Sequence, residues 1–300
     1  MANAEKTVGF TQITPNGTEI YFQAEPKRLY KLWAADVGEL DKLPGLEVPS
    51  VTDVLGCLDK PGLVHWGQRV GVEGVLELFS RQHLVARENG EVFIPFGYVA
   101  PIDADGVLTL LKEHKLTISY VKNEAGERGT LVHTCLEEWV AHGTLPVPSF
   151  WPEHLQGYIE GLRKFLLDLG PLKTKHAEVM VGSLAYGFAG RYDLEAVVPE
   201  GREFTLRLGS PGGRRPDERD TFSGRTLFDL KTSGKVYNTH FLQLEAYELA
   251  RLECGYHPTK QRVVVRVTVD GQYEARVSPA TSGQFLSVLG AYKALNDLGS

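Results

Sequence analysis

The sequence predicts a mixed α/β domain with a small central sheet, on three observations. From about residue 126 the apolar pattern runs helix, helix, strand, strand, strand, helix, strand, strand, helix, an order that packs helices around a sheet. Within it, Leu227-Phe228-Asp229-Leu230-Lys231 alternates apolar and charged residues at the period of a strand. The whole chain of 300 residues is 42% hydrophobic and 23% charged, the balance of an ordinary globular protein with room for one core and an extension.

The elements follow in order. Residues 7–23 read as a β-hairpin, because VGFTQIT and TEIYFQA flank Pro15-Asn16-Gly17 and Asn-Gly is a strong turn signal. The stretch 50–88 reads as helical, with Ser50 or Thr52 as the cap and Pro61 dividing it in two. Residues 90–100 are strand-like or irregular, and 103–116 read as a helix. Together, 1–120 form a mainly helical N-terminal extension, and 121–300 form the core. In the core, 128–143 and 152–170 read as helices stopped by glycine. Residues 176–183 and 187–198 read as strands, and the Gly- and Arg-rich stretch 210–225 as a loop. The strand carrying Asp229 follows, then a helix over 240–255, a hairpin over 261–278 turning at Asp270-Gly271, and a closing helix over 282–298.

Charge and composition narrow the functions. A net charge of −6 argues against a protein that coats nucleic acid by bulk positive potential, though not against a local basic groove. No run of 18 apolar residues is present, so no membrane span is expected. The opening MANAEKTVGFTQ lacks a signal-peptide core. Cys57, Cys135 and Cys254 are widely spaced and odd in number, which fits a reducing cytoplasm. No GxxxxGK[ST] motif is present, so any ATP-driven motor would have to come from a partner.

The chemistry centres on Asp229 and Lys231. Two apart on a strand, they share one face while Phe228 and Leu230 share the other. A carboxylate that holds a divalent cation, beside an ammonium that orients water, suits attack on a phosphodiester. On an exposed edge strand the same pair would be an ordinary ion pair. Asp193, ending Gly190-Arg191-Tyr192-Asp193, lies on a strand that adjacency would bring beside Asp229. The Leu230 carbonyl adds an oxygen ligand, and His133 an imidazole that tilts preference toward Mn²⁺. Gln243 and Tyr247, four apart on a helix, present one face toward a phosphate or base. Glu178 is read as a second-shell acid or a ligand through water, or equally as half of a structural ion pair.

Taken in order, GxxxH (Gly129 to His133), GxxD (Gly190 to Asp193), DxK (Asp229 to Lys231) and QxxxY (Gln243 to Tyr247) resemble the PD-(D/E)XK nuclease superfamily. The likeness is to its RecB-like branch, with CRISPR-associated and phage exonucleases, and it covers roughly 128–250. Residues 48–67 also resemble the opening of phage-encoded members. The resemblance implies a restriction-endonuclease-like core and a divalent-metal-dependent DNA exonuclease of recombination, repair or DNA degradation. His133, Asp193, Asp229 and Leu230 would hold Mg²⁺ or Mn²⁺. Asp193, Asp229 and Lys231 would be catalytic, and Gln243 and Tyr247 would bind DNA. Partners would be DNA and a recombination or helicase protein, in the cytoplasm, that of the host if the gene is a phage's.

Iron–sulfur members need four cysteine ligands, and the three cysteines here are wrongly placed, so no such cluster is expected. The insertion between Asp193 and Asp229 carries Arg202, Arg207, Arg214, Arg215, Arg219 and Arg225, which could touch phosphates or lie in a solvated loop. Trp33, Trp66 and Phe79 are either base-stacking residues of the extension or core residues. Three alternatives stay open: a structure-selective or nicking endonuclease, a nuclease-like DNA-binding protein without turnover, and a hydrolase of some other phosphoester.

Overall fold

The computed structural model describes residues 9–24, 29–34, 45–58, 61–88, 104–173, 175–207, 218–221 and 223–297. Contacts gather the chain into two compact units, 1–58 with 131–300 and 59–130 by itself. The expected extension 1–120 therefore straddles both, and the second boundary falls inside a helix.

The larger unit opens with an antiparallel meander: β1 (Gly9–Ile13), β2 (Glu19–Gln23), β3 (Leu29–Trp33) and β4 (Leu46–Val48). The Asn16-Gly17 turn forms as expected, with Gly17 at φ 85°, a conformation glycine reaches without strain. β3 and β4 were not anticipated. They are short, and only the alternating burial of Tyr30 and Leu32 marks β3 as a strand. Gln12 of β1 clasps β5 (Lys175–Ser183) on both sides of one residue: its Nε2 donates to the Met180 carbonyl at 2.8 Å, and its Oε1 accepts from the Met180 N–H at 2.9 Å. Helix α1 (Val51–Gly56) starts at Ser50, whose hydroxyl accepts from Asp53 N–H while the Asp53 carboxylate accepts from Ser50 N–H, each at 3.1 Å. This reciprocal cap satisfies two otherwise unpaired donors.

The central sheet has five strands in the order β11-β10-β9-β6-β5, with β6 (Phe188–Val198), β9 (Gly224–Lys231), β10 (Gln261–Val267) and β11 (Tyr273–Val277). β9 is therefore interior, not an edge. Only β9 and β10 run parallel, joined by the crossover helix α6 (Asn238–Glu253), as a parallel pair requires. One face packs on α6 and α7 (Ser282–Asp297) through Leu227, Val264, Leu244 and Phe285. The other packs on α5 (Glu153–Leu169) and the end of α4 (Ile118–His142) through Phe228, Leu230, Phe165 and Leu136. The smaller unit holds α2 (Pro61–Glu88), α3 (Ala104–Glu113) and the start of α4, with Val70, Leu78 and Leu111 buried.

Two elements differ from what the sequence predicts. α4 begins at Ile118, ten residues before the expected start, because Lys122, Asn123, Glu124 and Glu127 dilute the helical spacing of Ile118, Val121 and Ala125. The insertion read as a loop contains an antiparallel pair, β7 (Glu203–Arg207) and β8 (Glu218–Thr221). Phe204 anchors it, fully buried with its ring 6.2 Å from that of Phe165. Arg214 and Arg215 of the insertion lie outside the described residues, as does 90–100.

α5 reaches the sheet closely because Gly157 and Gly161 have no side chains. A methyl group at Gly157 would land on the Val269 carbonyl, and one at Gly161 on the Gln272 carbonyl. Backbone cannot yield as a side chain can, so Gly157→Ala is expected to destabilise by at least the ~1–3 kcal/mol of overpacking. A urea melt checks this; an unchanged midpoint would show that α5 can slide.

Candidate metal centre and substrate site

The four sequence motifs come together at the level of Asp193. On β9, Phe228 and Leu230 enter the α5-side core, which turns Asp229 and Lys231 to the α6 side. Asp229 is fully buried. Its Oδ1 accepts from Lys231 Nζ at 2.7 Å, and its Oδ2 is buried with no hydrogen-bond partner among the described residues.

β6 changes face at Asp193. Tyr192 belongs to the α6-side core and Leu194 to the α5-side core, although residues two apart on a regular strand share a face. The ladder between β6 and β9 starts only at Leu194↔Phe228. One step further, the Asp193 side chain replaces it: its Oδ2 accepts from Leu230 N–H at 2.6 Å. N–H and C=O of a strand residue leave on the same edge, so the Leu230 carbonyl faces the Asp193 edge as well. Opposite, Glu178 has φ 53° within β5, and β5 and β6 pair on both sides of this level but not at it. A non-glycine residue held there costs about 1–3 kcal/mol, and such residues cluster at functional sites.

This irregularity brings Glu178 to His133 of α4. His133 Nδ1 lies 3.1 Å from Glu178 Oε1 and 3.5 Å from Asp193 Oδ1. One ligand atom from each of His133, Glu178 and Asp193 falls within 4.8 Å of the others, a group able to hold a metal ion. Burial opposes a charge on His133, but the Asp193 and Glu178 carboxylates prevail and raise it to about 9. Burial raises Asp229 to about 6, against Lys231 and with the repulsion of Asp193. Burial also works against the Lys231 ammonium, yet Asp229 and Asp193 together hold its pKa above the ordinary value.

Gln243 and Tyr247 face the same place from α6. Gln243 Nε2 donates to the Tyr247 hydroxyl at 2.7 Å. Burial and the Asp229 and Asp193 carboxylates hold Tyr247 well above its ordinary pKa, so the hydroxyl keeps its proton as a donor. Gly190 makes this fit: a Cβ there would sit 2.6 Å from Tyr247 Cε1. The glycine of GxxD thus exists for the tyrosine of QxxxY.

The structure therefore gathers His133, Asp193, Asp229, Leu230, Lys231, Gln243 and Tyr247. It gives Glu178 as short a reach to His133 as any carboxylate has. The sequence reading did not single out Arg191, whose Nε lies 2.6 Å from Glu178 Oε2; its place inside GRYD was the available signal. Trp33 and Trp66 are half-buried, and the side chain of Phe79 lies outside the described residues. Cys135 and Cys254 are buried and Cys57 half-buried. Among the described residues no helix is long and apolar enough to cross a membrane.

No family model matches the chain, and no curated protein does. Among solved structures, the crystal structure of SSO0001 is 16% identical and covers 55% of this chain and 71% of its own, with a TM-score of 0.28. A likeness at that level carries no argument about fold or activity.

Proposed function

We propose that this chain is a divalent-metal-dependent deoxyribonuclease with a restriction-endonuclease-like core of the PD-(D/E)XK kind, acting as an exonuclease. The observation that carries the reading is Asp229 Oδ2, a carboxylate oxygen buried without a partner at the centre of the motif residues. A buried carboxylate oxygen left without a hydrogen bond costs about 1–3 kcal/mol even when the other oxygen is paired, and a cation in that place would offset it.

The donors fit such an ion. His133, Asp193, Asp229 and the Leu230 carbonyl offer nitrogen and oxygen, the chemistry of Mg²⁺ and Mn²⁺ sites, and Glu178 adds a carboxylate to that set. Held by these residues, a divalent ion would supply a water of lowered pKa as nucleophile and would screen the acidic site from phosphate charge. Lys231, fixed by its bond to Asp229, orients the attacking water and offsets the charge that grows on the phosphoryl oxygens. Tyr247, backed by Gln243, offers its hydroxyl proton to the substrate strand. Exonuclease action rests on the resemblance to the RecB-like branch.

Digestion of end-labelled linear and covalently closed circular DNA with Mg²⁺, Mn²⁺ or EDTA tests the reading, with Lys231→Ala in parallel. Metal-dependent loss of linear DNA alone, reduced ~10²–10³-fold in the variant as for a lost transition-state donor, is the expected result. Cutting of the circle would replace exonuclease with endonuclease. Absence of metal-dependent cleavage of both substrates would leave a non-catalytic DNA-binding role.

A further inference from the structure

Arg191 stands at the rim of the metal group and is only partly used by the protein. It lies on β6 two residues before Asp193, and its side chain is 45% exposed. Its Nε bonds Glu178 Oε2 at 2.6 Å, while the other oxygen of that carboxylate holds His133 at 3.1 Å. The guanidinium carbon lies 5.9 Å from the centre of the Phe22 ring, a cation–π contact. Among the described residues, no hydrogen bond or ion pair engages its two terminal nitrogens. The guanidinium is thus held by one nitrogen and one ring, with the forked end left over.

We infer that Arg191 takes a backbone phosphate of the bound DNA strand, next to the phosphate that faces Asp193 and Lys231. The inference rests on the nuclease reading above. Arginine presents parallel N–H donors that match phosphate oxygens in pairs, and fixing Nε beforehand lowers the ordering cost of the remaining contacts. The electrostatics require such a group. Asp193, Asp229 and Glu178 place three carboxylates where a polyanion must lie. Lys231 sits on the Asp229 flank and Arg191 on the Glu178 flank, with Asp193 between them. Two cations therefore bracket the acids, and the strand's path runs between them. The strained backbone at Glu178 serves both neighbours, since one carboxylate aims His133 inward and the Arg191 fork outward.

Fluorescence anisotropy of labelled single-stranded DNA, with Ca²⁺ in place of Mg²⁺ and salt varied, tests this in the full chain. Arg191→Gln keeps an N–H donor for Glu178 but loses the fork and the charge; Arg191→Lys keeps the charge alone. Arg191→Gln should weaken binding about tenfold and lower the slope of log affinity against log salt by about one. Arg191→Lys should keep the slope and recover only part of the affinity. Both should still bind Mn²⁺ by titration calorimetry, weakened by no more than the about 10–100-fold expected when a hydrogen-bond partner of a metal ligand is changed. Unchanged DNA affinity and slope in Arg191→Gln, with wild type binding normally, would overturn the assignment alone. So would loss of Mn²⁺ binding in both variants, which would make Arg191 a support for Glu178 only. Wild type that binds no DNA would overturn the nuclease reading, and this assignment with it.

Discussion

Asp229→Asn is expected to remove metal-dependent cleavage while leaving the chain folded. The amide keeps the size of the carboxylate but not its charge, so the buried Oδ2 position no longer attracts a cation, and Lys231 loses the anion that fixes its ammonium. The loss should be at least the ~10²–10³-fold seen when one electrostatic partner of a transition state is removed. Lys231→Ala should lose activity yet still bind Mn²⁺, which separates the two roles. The variant should also change the pH dependence of stability in EDTA. Asp229 binds its proton more tightly folded than unfolded, so the wild type loses stability as pH rises from about 3.8 to about 6. Asp229→Asn lacks that decline. Cleavage assays and urea melts across this range check both statements. Wild-type activity in the variant would sink the site assignment.

Arg251→Met is expected to cost about 3–5 kcal/mol, the penalty for leaving buried charges without their partner. Arg251 is fully buried, with Nη1 on Glu248 at 2.7 Å and Nη2 on Glu195 at 2.6 Å. It joins α6 to β6 directly behind the site. Removing it leaves Glu195 with Arg225 as its one ion-pair partner and the Tyr192 hydroxyl, and Glu248 with the Thr259 N–H. In the wild type, burial pushes Glu195 upward, but Arg251 and Arg225 outweigh it and hold the carboxyl below its ordinary value. Glu195 therefore contributes stability that is present above about pH 4.5 and is lost as pH falls through its lower folded value. In Arg251→Met that acid-side loss should shrink, with the largest deficit at neutral pH. Melts at pH 4 and 7 measure it, and equal midpoints at pH 7 would contradict the argument.

Much of the site was legible because strand and helix periods fix which residues share a face. Asp229 with Lys231, and Gln243 with Tyr247, needed only spacings of two and four. Asp193 is marked by its motif, but its geometry is not readable: a regular strand would aim it like Arg191 and Val197 along a simple alternation, whereas β6 reverses there. Glu178 was underrated for the same reason, since its reach to His133 comes from a backbone conformation that its residue type does not announce. Arg191 is invisible without the pairing that sets it opposite Met180 and so diagonally from Glu178. In the fold, long periodic helices and the Asn-Gly and Asp-Gly turns were clear. Strands of three to five residues, β3, β4, β7 and β8, were too short for alternation to stand out. The linkage of 1–58 to the core depends on contacts such as Gln12 with Met180, which no local pattern contains.

That linkage also sets a schedule for synthesis. The Asn16 side chain donates to the Glu253 carbonyl, 237 residues away in the chain, and the edge that Gln12 clasps belongs to β5. A ribosome adding 5–20 residues per second needs roughly 10–50 s to cover that interval. For that time the first meander is outside the exit tunnel with its docking surface unmade, and its apolar face, including Ile20 and Leu32, has nothing to cover it. Nascent chains stalled between residues 60 and 250 should therefore be the ones that recruit holding chaperones and aggregate, while release after α6 lets the meander close onto the core.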